Sequence, residues 1–375
     1  MPFDIPFIRP VFPDSSLIGR DFDGIVASNW FTNFGPRERE FSRAIGGYIG
    51  DGFTAVTFTN ATIGLIAVVS SALGRGDNTR YVLIPSFTFA AGAEAIEWAG
   101  YRPILIDIDP QSLQPSLEDA RAAVDGFGQG IAGILLCNTF GIGNPEIAAW
   151  EQFAEESGLV LLIDSAAGFG SRYEDGHPVG TAGLAEVFSF HATKPFAIGE
   201  GGAVVTRDVG LAETLMSFQN FGFREGRGAA ALGLNGKLQE ISAAIGLRQL
   251  ATLDAALESR QAALAYYREV LAGYPIEFPT LIEASSVCFA SMLLPNNVLR
   301  QRALERLREG GVEARAYYSP ALHEQPHFSD SARASDLEVT REVVDTVLSV
   351  PLHQQMSRVD TDRVTDIIRA AVDGP

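Results

Sequence analysis

From residue 54 to 206 the chain repeats one pattern: a short, unbroken apolar run, then a segment whose apolar positions recur every three or four residues. The runs are 54–59, 81–84, 103–108, 131–136, 159–163, 187–190 and 203–206, rich in Val, Ile, Leu and Phe. They do not alternate apolar with polar residues, which predicts strands buried on both faces of a mostly parallel sheet of seven strands. Helical patterns at 62–73, 90–99 and 145–156 lie between the early runs. Strands alternating with helices predict an α/β layer fold built from βαβ units. A long helix is predicted over 238–271, where Leu238, Ile241, Ile245, Leu250, Leu253 and Leu257 share one face. Beyond Tyr274-Pro275, a strand near 287–294 and helices near 298–309, 337–348 and 360–372 predict a smaller α+β domain. The expected division is a large α/β domain with an N-terminal arm at 1–255 and a small domain at 256–375. The Pro- and Phe-rich segment 1–30 is expected to wrap another part of the molecule.

Composition narrows the function. The formal charge is −18, from 28 basic and 46 acidic side chains. Non-specific nucleic-acid binding and attraction to anionic membranes both need a positive field that this chain lacks. No apolar stretch approaches the roughly 18 residues of a spanning helix, and the start MPFDIPFIRPVF has no basic-then-apolar leader pattern, so a cytoplasmic location is expected. Two cysteines, Cys137 and Cys288, make neither a disulfide framework nor a four-cysteine zinc site. The five histidines show no metal-binding spacing, so no metal is expected. Of the basic residues 26 are arginine, and the only lysines are Lys194 and Lys237. Chemistry that needs a primary amine has two candidates.

In an open α/β sheet, ligands bind beyond the carboxyl ends of the strands. Asp164 follows the run 159–163, placed either to meet a cation or simply to cap a turn. Asn60-Ala61-Thr62 opens a helix after the first run, which suits a phosphate as well as plain N-capping. Lys194 lies in a Gly- and Phe-rich turn between two apolar strands. A chain that uses arginine nearly everywhere else keeps a lysine here, and lysine can lose its proton or form an imine where arginine cannot. Phosphate cradle, carboxylate and amine together are what pyridoxal 5′-phosphate (PLP) requires.

The motifs Asn33-Phe34-Gly35-Pro36, Thr59-Asn60-Ala61-Thr62-Ile63-Gly64, Pro85-Ser86-Phe87-Thr88-Phe89, Ile163-Asp164-Ser165-Ala166, Phe188-Ser189-Phe190-His191-Ala192-Thr193-Lys194, Gly199-Glu200-Gly201-Gly202, Gly233-Leu234-Asn235-Gly236-Lys237 and Tyr317-Tyr318-Ser319-Pro320 occur in one order along the chain. In these the chain resembles, over nearly its whole length, the PLP-dependent nucleotide-sugar aminotransferases of the DegT/StrS type, a family of fold type I. The resemblance implies that Lys194 is the Schiff-base lysine and Asp164 the partner of the pyridinium nitrogen. Phe89 matches the aromatic against the cofactor ring. The amides of Thr62 and Ile63 and the Ser189 hydroxyl match the phosphate cradle. Asn235 matches an asparagine that reaches the cofactor phosphate of a neighbouring subunit, which implies a homodimer with shared sites. Tyr318 and His323 match a C-terminal segment near the substrate. One departure stands out: the family usually carries Gln or His three residues after the aspartate, and this chain has Ala167.

The implied reaction takes an amino group from glutamate to a nucleotide-linked keto sugar. His191, Thr193 and Asn220-Phe221-Gly222-Phe223 look most like members that aminate carbon 4, which implies dTDP-4-keto-6-deoxy-D-glucose as acceptor and dTDP-4-amino-4,6-dideoxy-D-glucose as product. A 3-keto, 3-aminating member is the alternative; such members more often carry Tyr at the position of His191. A non-catalytic regulatory member would have no need of Lys194 with Asp164, and a dehydratase of this fold would carry His in place of the lysine. The anionic sugar nucleotide meets a negatively charged protein, so local arginines must hold it. Arg224, Arg227 and Arg315 flank the motifs and are candidates, beside the plain reading of surface cations.

Overall fold

The computed structural model describes residues 3–224 and 228–374. Two helices, α1 (Ser15–Ser28) and α2 (Pro36–Ile49), precede the α/β body. That body runs β1 (Thr54–Phe58), α3 (Ala61–Leu73), β2 (Tyr81–Pro85), α4 (Ala91–Trp98), β3 (Arg102–Ile106), α5 (Leu117–Phe127), β4 (Ile131–Cys137), α6 (Ile147–Ser157), β5 (Val160–Asp164), β6 (Ala185–Ser189) and β7 (Gly202–Thr206). Then follow α7 (Val209–Phe218), α8 (Glu240–Leu250), α9 (Leu253–Val270), β8 (Ala290–Leu293), α10 (Asn297–Glu309), β9 (Ala332–Arg333), α11 (Glu338–Thr346), β10 (Val347–Val350) and α12 (Arg358–Asp373).

The main sheet has the order β1-β7-β6-β5-β4-β2-β3-β9. Only β7 runs against its neighbours; every other pairing is parallel. All seven expected strands are present. The eighth, β9, is a two-residue edge strand contributed from the C-terminal part of the chain, and no apolar run announces it. Nearly every strand residue is buried, as continuous apolar runs require when helices cover both faces. One core cluster includes Ile134, Trp150, Ile163 and Phe188, and a second includes Leu65, Val82, Leu135 and Val187.

Two expectations are corrected. The helix predicted over 238–271 is two helices, broken at Ala251 and Thr252. The Thr252 hydroxyl donates to the Gln249 carbonyl, a local bond that competes with the helical ladder. α8 also begins later than predicted, at Glu240, whose carboxylate accepts the Arg37 and Glu38 N–H groups at 2.9 and 2.8 Å and so caps α2 from a distance. The helix predicted over 337–348 ends at Thr346, and its last apolar residues begin β10, antiparallel to β8. That partner lies far away in sequence, so periodicity alone could not reveal it.

A third core cluster gathers Tyr267, Ala290, Met292, Val347, Leu348 and Ile368, and Phe7 of the arm joins it. α9 runs through position 255, its Leu257 in the first cluster and its Leu264 in the third. The arm does wrap the molecule: Ile5 bridges Val312, and Phe7 packs on Phe289 at 5.1 Å between ring centroids. Among the described residues no helix is long and apolar enough to cross a membrane.

Candidate active site

The carboxyl ends of β1, β2, β4, β5 and β6 open into one cavity of about 620 Å³. Parallel strands place these ends side by side, so residues far apart in sequence converge there. Thr62, Ile63, Phe89, Asp164, Ser189, Lys194 and Tyr318 all line it. Lys194 stands in the connection that reverses the chain from β6 into antiparallel β7, and its N–H donates to the His191 carbonyl at 2.9 Å.

Asp164 ends β5, one strand over, and is 6% exposed. Burial pushes its carboxyl up to about 6, against the Ala166 N–H at 3.0 Å and the Lys194 charge, both of which favour ionisation. The turn after it is anchored from behind. The Ser165 hydroxyl accepts from the Asn138 amide at 2.9 Å and donates to Glu186 at 2.5 Å. Glu186 further accepts the Tyr173 hydroxyl and the Gly180 and Ala182 N–H groups at 3.0, 2.7 and 2.9 Å. Burial pushes this carboxyl up to about 7.

The start of α3 forms another wall. Asn60 is its N-cap, and its side-chain oxygen accepts the Ile63 N–H at 2.9 Å. Of the two amides expected to cradle an anion, that of Ile63 is therefore already engaged. Gly202, the first residue of β7, lets this helix start come close: a Cβ there would lie 2.7 Å from the Ala61 nitrogen and 2.9 Å from the Asn60 carbonyl carbon. Both are backbone atoms that cannot yield cheaply. Gly202→Ala is expected to lower stability by about 1–3 kcal/mol in urea unfolding; an unchanged midpoint would contradict this close approach.

Phe89 is 63% exposed and presents its ring to the cavity mouth, 6.5 Å from Tyr318 between centroids. Tyr318 stacks on Phe140 at 5.6 Å, and burial pushes its hydroxyl well above the usual phenol range. Ala167 lines the cavity, and its methyl offers no polar contact there. Asn138 cannot substitute, because both its amide hydrogens are used on Ser165 and Tyr173 and its oxygen accepts the Asn144 N–H.

Two expected residues lie elsewhere. His323 is buried behind the cavity, its Nδ1 2.8 Å from the Ser86 hydroxyl, and burial lowers its pKa. Asn235 is exposed outside this cavity, its side-chain oxygen accepting from the Lys237 amine at 2.7 Å. Of the candidate arginines, Arg315 lines the cavity, Arg224 lines a separate groove beside α7, and Arg227 lies outside the described residues. Sequence reasoning missed Ile8, Thr88, Cys137 and Cys288, which also line the cavity. Cys137 was findable: it closes the β4 run and pairs in register with Asp164. Burial, then the Asp164 charge, push its thiol up to about 12, so it is a packing residue at neutral pH.

An amine in the loop after one parallel strand and a buried carboxylate ending the neighbouring strand share one cavity, as the resemblance to the PLP-dependent sugar aminotransferases implies; that is the class of this enzyme. The chain belongs to the DegT/DnrJ/EryC1/StrS aminotransferase family, which it matches over residues 16–369. It is 46% identical over 370 residues to protein Rv3402c of Mycobacterium tuberculosis (strain ATCC 25618 / H37Rv), covering 98% of this chain and 90% of that one. It is 28% identical over 345 residues to the dTDP-4-amino-4,6-dideoxy-D-glucose transaminase of Shigella dysenteriae, covering 90% and 91%. The crystal structure of DesI in the presence of its TDP-sugar product superposes with a TM-score of 0.90 at 32% identity, covering 99% of this chain and 94% of that one.

Proposed function

We propose that this aminotransferase uses pyridoxal phosphate to move an amino group from glutamate to dTDP-4-keto-6-deoxy-D-glucose, giving dTDP-4-amino-4,6-dideoxy-D-glucose. The observation that supports the reading is the shared cavity of Lys194, in the loop after β6, and Asp164, at the end of the neighbouring strand β5. The donor set fits the cofactor. Lys194 is the only primary amine among the described cavity residues, and it would hold the aldehyde. Asp164 would keep a proton on the ring nitrogen. Phe89 would lie against the ring, and the start of α3 with the Ser189 hydroxyl would hold the phosphate. Bound PLP supplies an aldehyde that carries nitrogen and a ring that takes up electrons.

The chain's own residues do the rest. Freed once the donor's amine takes its place on the aldehyde, the Nζ of Lys194 would take the proton from the carbon that bears nitrogen and give it back as the transfer is completed. Asp164 is buried, so its carboxylate would interact more strongly with a cationic ring than an exposed one could. Phe140 and Tyr318, stacked on each other, line the same cavity.

The acceptor is inferred from the names of the Shigella relative and of the DesI structure, together with His191 in the loop before Lys194. A homodimer and a cytoplasmic location belong to the same proposal. Exposed Trp30, Phe31, Phe221 and Leu232 would suit a second copy, and Asn235 would reach that copy's cofactor phosphate. The test is turnover with 4-keto and 3-keto sugar nucleotides, dTDP- and GDP-linked, with the products resolved by NMR. Nitrogen on carbon 4 of a dTDP sugar is expected. Nitrogen on carbon 3 would replace the acceptor and leave the aminotransferase reading intact.

A further inference from the structure

Arg315 is the only arginine among the described residues that line the cavity of Lys194. Its surroundings hold it in place. Its N–H donates to the Ser349 carbonyl at 2.9 Å and its carbonyl accepts the Ser349 N–H at 2.7 Å, which appends residue 315 to the edge of β10. Its Nη2 donates to Glu313 at 2.8 Å and its Nη1 to the Tyr317 hydroxyl. The guanidinium carbon sits 4.9 Å from the Phe7 ring centroid and 5.5 Å from that of Tyr317. Glu313 is itself fixed, since its other oxygen accepts the Phe7 N–H at 2.9 Å. The N-terminal arm therefore serves as a strap: Ile5 and Phe7 pin the segment that carries Glu313 and Arg315, and Ile8 joins the cavity wall. A guanidinium has five N–H donors. Two are engaged here, which leaves an oriented, partly exposed fork with donors to spare.

We propose that Arg315 binds the α-carboxylate of the amino-group donor and that Glu313 and the arm are what aim it. The assignment rests on the aminotransferase reading. The α-carboxylate hangs from the very carbon that bears the nitrogen, so its partner must share the cavity of Lys194. A nucleotide sugar holds its diphosphate at the anomeric end, away from the carbon that receives nitrogen. A planar carboxylate also matches the fork of an arginine in two parallel bonds.

The test uses cofactor-loaded enzyme and the variants Arg315→Gln and Arg315→Lys. Glutarate, a dicarboxylate without an amine, is titrated calorimetrically. Conversion of the cofactor by glutamate is followed by absorbance in single turnover, and the keto-sugar KM is measured separately. Arg315→Gln is expected to weaken glutarate and glutamate about 10- to 100-fold, as loss of a charged hydrogen-bonding pair does. Arg315→Lys is expected to fall between, and the keto-sugar KM to stay within about twofold. Should the glutamine variant fail to fold, the lysine variant decides alone: donor-specific weakening supports the assignment and unchanged donor affinity overturns it. A rise confined to the keto-sugar KM would assign Arg315 to the diphosphate and overturn the proposal. If no amino acid converts the wild type, the aminotransferase reading falls and takes this assignment with it. Conversion that Arg315→Gln leaves intact overturns the assignment alone.

Discussion

Lys194→Ala is expected to abolish the covalent PLP adduct trapped by borohydride and to lower transamination by at least ~10³-fold, the upper range for a lost acid–base group. Lys237→Ala is expected to keep the adduct at residue 194. The two lysines differ in a way that makes this a real contest. Burial lowers the pKa of Lys237, a property often associated with reactive amines. Position favours the other. Lys237 donates to Asn220 at 3.2 Å and to Asn235 at 2.7 Å and lies 4.7 Å over the Phe221 ring, outside the cavity. An amine must reach the aldehyde before its basicity matters. Peptide mass spectrometry after reduction locates the adduct, and an adduct on Lys237 would remove the basis of the proposed function.

Asp164→Asn should show opposite effects in the cofactor-free and loaded protein. Burial raises the native carboxyl to about 6, whereas an unfolded aspartate titrates near 3.8. Below the unfolded value both states hold the proton, and the neutral group contributes its full share of stability. As pH rises through the folded value that share is lost, because the unfolded state ionises freely and the native state must bury a charge. The loss is on the order of 3 kcal/mol at pH 8, from roughly two pH units at 1.36 kcal/mol each. Asparagine has no such charge and can still accept the Ala166 N–H. The cofactor-free variant should therefore be the more stable protein above pH 6, with the difference closing below pH 4. In the loaded protein the aspartate gains a cationic partner, so the variant should gain less stability from PLP and turn over at least ~10²-fold more slowly. Urea unfolding at pH 4, 6 and 8, with and without PLP, measures both. Equal stability at pH 8 without cofactor would mean that the carboxyl is better solvated than its burial implies.

Much of this was legible in the residues. Unbroken apolar runs such as 131–136 identify buried parallel strands because no face of them can be polar. With only two lysines in an arginine-rich chain, the one in the Gly- and Phe-rich turn after an apolar strand, Lys194, draws attention as an amine placed for chemistry. The N-cap Asn60 was visible because capping is a local property of a few residues. Other features were not. β10 follows a helix without any break signal, and its partner β8 lies more than fifty residues earlier. Arg315 stood among three candidate arginines, but that it alone of the described ones lines the cavity, together with Ile8, depends on Arg315 bridging Ser349, Ile5 bridging Val312 and Phe7 packing into the small-domain core, contacts with no counterpart in local pattern. His323 has the residue type of a substrate contact, yet its Nδ1 pairs with the Ser86 hydroxyl and it does not line the cavity.

The linear order of residues determined the α/β layering, the strand ends at which chemistry could occur, and the amine and carboxylate that would perform it. All of these follow from periodicity and from functional groups that few residue types possess. Only the tertiary structure decided which polar groups face the cavity and which are consumed behind it, and how the N-terminal arm completes the wall. Those outcomes depend on pairings between distant segments, and a chain reveals such pairings only when its backbone hydrogen bonds and apolar surfaces have found their partners.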